Sequence, residues 1–158
     1  MNKICIVGAG RMGAIHAANV AASERAVLGY VVDSDPKRAA TLAMRYGATA
    51  TADSNEPLTD ASVDAVIIAS STDTHADLIE ASAKAGKAIL CEKPIDLSIE
   101  RVRACEQEIE GFDRPVMIGF QRRFDDTHQT VRQAISKGDI GRVESISITS
   151  RDPSPPPH

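Results

Sequence analysis

Apolar residues in this chain fall into short unbroken runs, separated by stretches with a helical repeat. Residues 4–7 (ICIV), 27–32 (VLGYVV), 65–69 (AVIIA), 88–91 (AILC) and 116–119 (VMIG) are β-favouring runs, and 49–51 (TAT) is a weaker one. Between the first two lies an alanine-rich segment, Arg11 to Ala22, that predicts a helix. A second helix is predicted from Pro36, with Asp35 as its cap and proline at its first position. Its Ala39, Leu42, Ala43 and Tyr46 keep the i, i+3, i+4, i+7 spacing of one buried face, and Gly47 ends it. Further helices are predicted from His75 to Ala85, capped by Thr74, and from a Ser98 cap to about Phe112. The latter is expected to bury Ile99, Val102, Ile109 and Phe112.

Strands buried on both faces read as continuous apolar runs, and their alternation with helices implies parallel pairing. The pattern therefore predicts an α/β fold, a doubly wound parallel sheet of the dinucleotide-binding (Rossmann) type, complete by residue 119. Residues 120–158 differ. A helix from Asp125 to Lys137 is stopped at Gly138, and "VESISIT" (143–149) alternates as a half-exposed strand does. The closing "SRDPSPPPH" cannot join a sheet interior. One helix and one strand cannot close a core, so 120–158 is expected to be a hinge helix and the first strand of a truncated second α+β domain.

Composition narrows the function classes. The 158 residues are 42% hydrophobic and 25% charged, with only 3% aromatic, so Ala, Val, Ile and Leu must build the core. A net charge of −4 and a pI near 5.5 argue against a nucleic-acid partner, which needs a basic face. No run approaches the roughly 20 apolar residues of a membrane span. Lys3 leads straight into the first strand rather than into a signal peptide. Cys5, Cys91 and Cys105 form an odd set without metal-ligand spacing, so no metal is expected, and all three read as small apolar residues in a reducing cytoplasm.

The first strand opens into "GAGRMG", Gly8 to Gly13. The spacing alone is weak. Here a strand precedes it, a helix follows, and Asp33 stands 20 residues past Gly13 at the end of the second strand. Gly8 would permit the tight turn, Gly10 the approach of a pyrophosphate, and Gly13 close packing of helix on strand. The N–H groups of Arg11, Met12 and Gly13, at the start of the helix, would meet the phosphates. A carboxylate at Asp33 would accept hydrogen bonds from the adenosine ribose and repel a 2′-phosphate, which favours NAD over NADP. Lys37 and Arg38 follow closely and could soften that repulsion. Each reads either as a solvated helix face or, for Arg38, as a plate under the adenine.

Two more strand ends carry chemistry, since ligands bind beyond the carboxyl ends of strands in such sheets. Ser70, Ser71 and Thr72 offer hydroxyls there. His75 either reaches a cofactor ribose or simply caps its helix or faces solvent. After the fifth strand comes "CEKPID", in which Lys93 is either a solvated turn residue or an amine held against a reacting group.

Taken together, the glycine loop, the acid after strand two, "TDTHADLIEAS" and "CEKP" resemble the glucose-fructose oxidoreductase/inositol dehydrogenase/rhizopine catabolism family. "GFQRRFD" (119–125) and "GRVESISITSRDP" are similar to its inositol 2-dehydrogenase branch. The resemblance implies an NAD-dependent dehydrogenase oxidising a secondary hydroxyl of a cyclic polyol or sugar, most simply myo-inositol to its 2-keto form. It implies that Lys93, desolvated beside the nicotinamide, contacts the substrate hydroxyl and assists its deprotonation. It also implies that Glu92 faces the nicotinamide ribose, that Gln121 and Arg122 line the cleft near nicotinamide and polyol, and that Pro94 carries a cis peptide bond. A structural salt bridge is the rival reading of Arg122. The family's Asp-x-x-x-His base has no counterpart in these residues, so the 158-residue chain alone is expected to bind NAD without turnover. The alternative is a non-catalytic NAD-binding module or sensor. The pattern leaves a homo-oligomer open for a longer enzyme.

Overall fold

In the computed structural model, which describes residues 1–151, the chain divides into two compact units, Met1–Gly119 and Phe120 onward. The first unit holds six strands: β1 (Asn2–Val7), β2 (Ala26–Val32), β3 (Thr49–Thr51), β4 (Ala65–Ile68), β5 (Ala88–Cys91) and β6 (Val116–Ile118). They form one parallel sheet in the order β3-β2-β1-β4-β5-β6. The order reverses at β1 and β4, the topological switch where crevices open in this fold class. The doubly wound parallel sheet expected from the apolar runs is what the chain builds.

Helices α1 (Arg11–Ala21), α2 (Pro36–Tyr46), α3 (Asn55–Thr59), α4 (His75–Lys84) and α5 (Ile99–Glu108) fill the connections. Strand side chains alternate between two cores. Ile4 and Ile6 of β1 pack with Ala17, Val20, Ala39, Leu42 and Ala43 from α1 and α2. Cys5 and Val7 pack on the other face with Ala76, Ile79 and Cys105 from α4 and α5. In β2 the alternation slips: Leu28 and Val31 share the α1/α2 side, whereas Tyr30 and Val32 serve the other. The cause is a bulge, where Ile4 pairs with Leu28 but Cys5 with Tyr30, leaving Gly29 unpaired.

Local signals account for most boundaries. Asp35 accepts the N–H of Lys37, Pro36 opens α2, and Gly47 closes it at φ 68°. Ser98 accepts the N–H of Arg101 at the start of α5. That helix ends at Glu108 rather than Phe112, and Ile99 is 56% exposed instead of buried. Its buried contact is Cys105, while Ile109 and Phe112 pack on the core from the turn beyond. Helix α3 had no periodic signal because five residues are too few to show one; it buries Pro57 and Leu58.

At the amino-terminal edge of the sheet, Asp60 gathers several donors. Its Oδ1 accepts from the N–H and Oγ of Ser62 at 2.8 and 2.6 Å. Its Oδ2 accepts from Lys3 Nζ and Tyr30 Oη at 3.0 and 3.1 Å. Buried Lys87 ties the same loop by donating to the carbonyls of Asp60 and Val63. The Ser62 hydrogen bonds, and then that of Lys3, hold the Asp60 carboxyl well below the usual carboxylate range. A carboxyl depressed in the folded state stabilises above its unfolded pKa, about 3.9, and loses that contribution as pH falls toward the folded value. Urea midpoints should therefore separate wild type from Asp60→Asn at neutral pH and converge below about pH 4; a gap unchanged at acid pH would remove Asp60 from the stability balance.

The second unit contains a 3-10 turn (Gln121–Phe124) and α6 (Asp126–Lys137), with Asp125 as its cap and Gly138 at φ 77° as its stop. Residues 143–149 form no strand, contrary to their alternation. Period two places side chains on two faces, but a strand also needs a neighbour to take its N–H and C=O groups, and none pairs with it among the described residues. The proline-rich stretch from residue 152 lies outside the described residues.

Candidate functional site: a nucleotide crevice at the strand ends

The β1–α1 turn is built around backbone proximity. Gly8 has φ 101°, a conformation L side chains rarely adopt, and a Cβ there would come within 2.6 Å of Ala69 and Ser70 main-chain atoms. At Gly13 a Cβ would fall 1.8 Å from the carbonyl oxygen of Gly8, so the first turn of α1 lies directly against the loop. Gly10 is different: a Cβ there would meet no atom within 4 Å. Packing within the protein does not require glycine at this position, and the space above the helix start is open. The first N–H groups of α1 receive no side-chain cap, unlike those of α2, α5 and α6. Uncapped N–H groups at a helix start suit an anion.

Asp33 stands beside this loop and is 8% exposed. Its Oδ2 accepts the N–H of Ala9 at 2.8 Å, and its Oδ1 accepts the N–H of Asp35 at 2.8 Å. Arg38 Nη2 lies 3.2 Å from Oδ1, and Arg38 Nε lies 3.5 Å from Asp35. The acid thus latches the glycine loop as well as facing the crevice. Arg38, read from sequence as either solvated or stacking, is an ion-pair partner of Asp33 with its side chain still 57% exposed.

A hollow of about 590 Å³ opens here, a size typical of small-molecule sites. Gly8, Gly10, Asp33, Arg38, Ser70 and Ser71 all line it. Ala52, Ser54, Asp77 and Leu78 also line it and were not singled out in the sequence, and Thr74, read there only as a helix cap, joins them. Position at a strand end could have found Ala52, just past β3; Asp77 and Leu78 gave no signal beyond helix spacing. A second hollow of about 430 Å³ is lined by Arg11, Lys37, Arg38 and Arg45. Met12, half-buried on the first turn of α1, and Thr72, in the 3-10 turn before α4, line neither hollow.

His75 departs from every reading of it. The ring is 1% exposed, with Nδ1 2.7 Å from the carbonyl oxygen of Pro94 and Nε2 3.1 Å from that of Ser70. Each nitrogen faces a main-chain carbonyl, and a neutral ring donates to one of the two; the buried ring sits between the end of β4 and the Lys93-Pro94 turn and does not line the hollow. Thr74 likewise does not cap α4 with its side chain: its hydroxyl donates to the carbonyl of Ser71 and lies 2.7 Å from Ser70 Oγ.

The "CEKP" segment closes β5. Cys91 is fully buried and its thiol is pushed up to about 12 by burial, so it is no nucleophile. The three cysteines are free and buried. Glu92 is half-buried and its Oε1 lies 2.8 Å from Nε2 of His16, on α1. Lys93 is exposed, so the desolvation expected of it is not supplied by this unit's own side chains. The Lys93–Pro94 peptide is cis. His16 escaped the sequence reading because a lone polar residue on an alanine-rich helix looks solvated. Gln121 and Arg122 are exposed residues of the second unit. Among the described residues there is no group of three or more His, Cys, Asp or Glu placed to hold a metal, and no helix long and apolar enough to cross a membrane.

An uncapped helix start, an open position at Gly10 and a carboxylate at the end of β2 fit the pyrophosphate and ribose of a dinucleotide. Comparison with known proteins agrees. The chain is 51% identical over 153 residues to an inositol 2-dehydrogenase of Rhizobium meliloti (strain 1021), covering 96% of this chain and 46% of that protein. The crystal structure of a myo-inositol dehydrogenase from Corynebacterium glutamicum superposes with a TM-score of 0.85 at 40% identity, covering 90% of this chain and 43% of that one. A scyllo-inositol dehydrogenase from Lactobacillus casei, solved with bound NAD(H) and scyllo-inositol, gives 0.82 at 34% identity, over 89% of this chain and 42% of that one. The chain spans about half the length of the curated relatives it matches. Residues 2–120 match the model of the oxidoreductase family with an NAD-binding Rossmann fold, and to that family the chain belongs.

Proposed function

We propose that this chain is the cofactor-binding portion of an NAD-dependent dehydrogenase that oxidises a secondary hydroxyl of a cyclic polyol or sugar, with myo-inositol, taken to its 2-keto form, as the leading substrate. The observation that carries the reading is one juxtaposition. The uncapped start of α1, the Asp33 carboxylate and the Ser70 and Ser71 hydroxyls surround one hollow, while Glu92 and Lys93 close the strand next to β4.

Each residue then has a task. Gly8, Gly10 and Gly13 shape the loop, and the N–H groups of Arg11 and Met12 meet the pyrophosphate. Asp33 accepts from the adenosine ribose, with Arg38 holding the carboxylate in place. Ser70 and Ser71 border the crevice, Thr72 stands in the turn that follows them, and buried His75 lies against the Ser70 carbonyl. Glu92 accepts from the nicotinamide ribose, and Lys93 hydrogen-bonds the substrate hydroxyl and assists its deprotonation. Gln121 and Arg122 keep the cofactor and substrate roles that the resemblance implies. Bound NAD supplies a hydride acceptor. Burial of Lys93, which the unit itself does not provide, would come from ligands lying over it.

The second reading, a non-catalytic NAD-binding module, draws on the exposure of Lys93. Calorimetric titration with NAD, followed by an assay of NADH formation with myo-inositol, separates the cases. The 158-residue chain should bind NAD and show no turnover. Turnover by this chain would refute the missing-base argument, and a lack of NAD binding would overturn the cofactor reading.

A further inference from the structure

His16 has no part in the function proposed so far. Its ring is on the second turn of α1, the helix whose start bears the glycine loop, yet it serves the other end of the site. Nε2 lies 2.8 Å from Oε1 of Glu92, and the two side chains are only 17% and 15% exposed. A carboxylate oxygen accepts, so the ring donates through Nε2. Glu92 is closed in from its other side by Gly119, where a Cβ would sit 3.2–3.3 Å from both carboxylate oxygens. The carboxylate is therefore gripped between a helix following β1 and a residue following β6, across the ends of β4 and β5.

We infer that His16 is a positioning residue for the nicotinamide half of the dinucleotide. It contacts no ligand; it holds Glu92 in the one orientation that presents the free oxygen to a ribose hydroxyl. A carboxylate able to rotate about its side-chain torsions would lose that preorganisation and pay for it on binding. The link also joins the phosphate-binding helix to the Glu92-Lys93 turn, so the two halves of the crevice move as one body. This inference rests on the assignment of Glu92 to the nicotinamide ribose made above.

Two ligands separate the role from simple structural support. ADP carries the adenosine and pyrophosphate groups but no nicotinamide ribose; NADH carries both. In titrations of the 158-residue chain, His16→Ala should weaken NADH by about ten- to a hundredfold, the loss that one charge-assisted hydrogen bond accounts for, and leave ADP within about twofold. His16→Gln, whose amide can still donate, should recover much of the NADH affinity. Glu92→Gln should weaken NADH similarly, and His16→Ala with Glu92→Gln together should be no worse than the poorer single variant. Equal losses for ADP and NADH would overturn the inference, as would an unchanged NADH affinity or strictly multiplicative effects of the two substitutions. Should wild type bind ADP and not NADH, the Glu92 assignment fails first and takes this inference with it.

Discussion

Gly13→Ala is expected to be among the most damaging single-methyl changes available in this chain. The new carbon would lie 1.8 Å from the Gly8 carbonyl oxygen, and that obstacle is backbone, not a flexible side chain. Either α1 lifts away from β1 or the loop rebuilds, and both undo the packing of Ile6 under the turn, whose Cγ2 is 3.5 Å from the same point. Overpacking typically costs about 1–3 kcal/mol, and a clash with main chain belongs at or above the top of that range. Loss of NAD binding should accompany the loss of stability. Gly10→Ala is the informative partner. With nothing within 4 Å of the new carbon, its stability cost should stay at about 1 kcal/mol or less, the scale of a changed helix cap. Its NAD affinity should nonetheless fall at least about tenfold, because the methyl enters the space assigned to pyrophosphate. Thermal melts and NAD titrations on the same samples check both. Gly10→Ala with full NAD affinity would move the phosphates elsewhere.

Asp33→Ala should produce the second largest effect, in affinity rather than folding. The substitution removes the acceptor for the ribose hydroxyls and leaves the N–H groups of Ala9 and Asp35 without their partner. Hydrogen bonds to charged groups contribute roughly 1.5–3 kcal/mol, so a loss of about ten- to a hundredfold in NAD affinity is expected. NADP should lose less or gain, since the repulsion of its 2′-phosphate disappears and Arg38, freed from Oδ1, stands next to Lys37 and Arg45 along the second hollow. The measured ratio of the two affinities is the test. A ratio that does not move would take Asp33 out of cofactor choice and leave it only as the latch on the loop.

How much of this could be read from sequence follows from the range of each signal. Strand identity, the caps at Asp35 and Ser98, the glycine loop and the acid after β2 are local, because each depends on residues a few positions apart. Parallel pairing followed from the unbroken apolar runs and their alternation with helices. What escaped was long-range or depended on an element's neighbours. His16 and Glu92 are 76 positions apart, and nothing in either local context announces the other. His75 was misread because a helix-opening histidine at a ligand-rich strand end looks available; only the approach of the Pro94 carbonyl, 19 residues on, shows that it is not. Residues 143–149 have the alternation of a strand but no partner among the described residues, and pattern records only the first. Lys93 was expected to be desolvated on the strength of its motif, whereas its surroundings within Met1–Gly119 leave it exposed.

The bulge at Gly29 carries an implication for the acid itself. Side chains before it and after it keep opposite parity, so Leu28 and Val31 both reach α1 and α2, and the position two beyond Val31 inherits that side. That position is Asp33, which finds the Ala9 N–H there. Were Gly29 instead drawn into the ladder as an ordinary paired residue, the strand could hide Leu28 beneath the same helices, or aim its terminal carboxylate at the glycine turn, but not both. One surplus link in the middle of a strand thus decides, several residues downstream, which side of the sheet can hold a ribose.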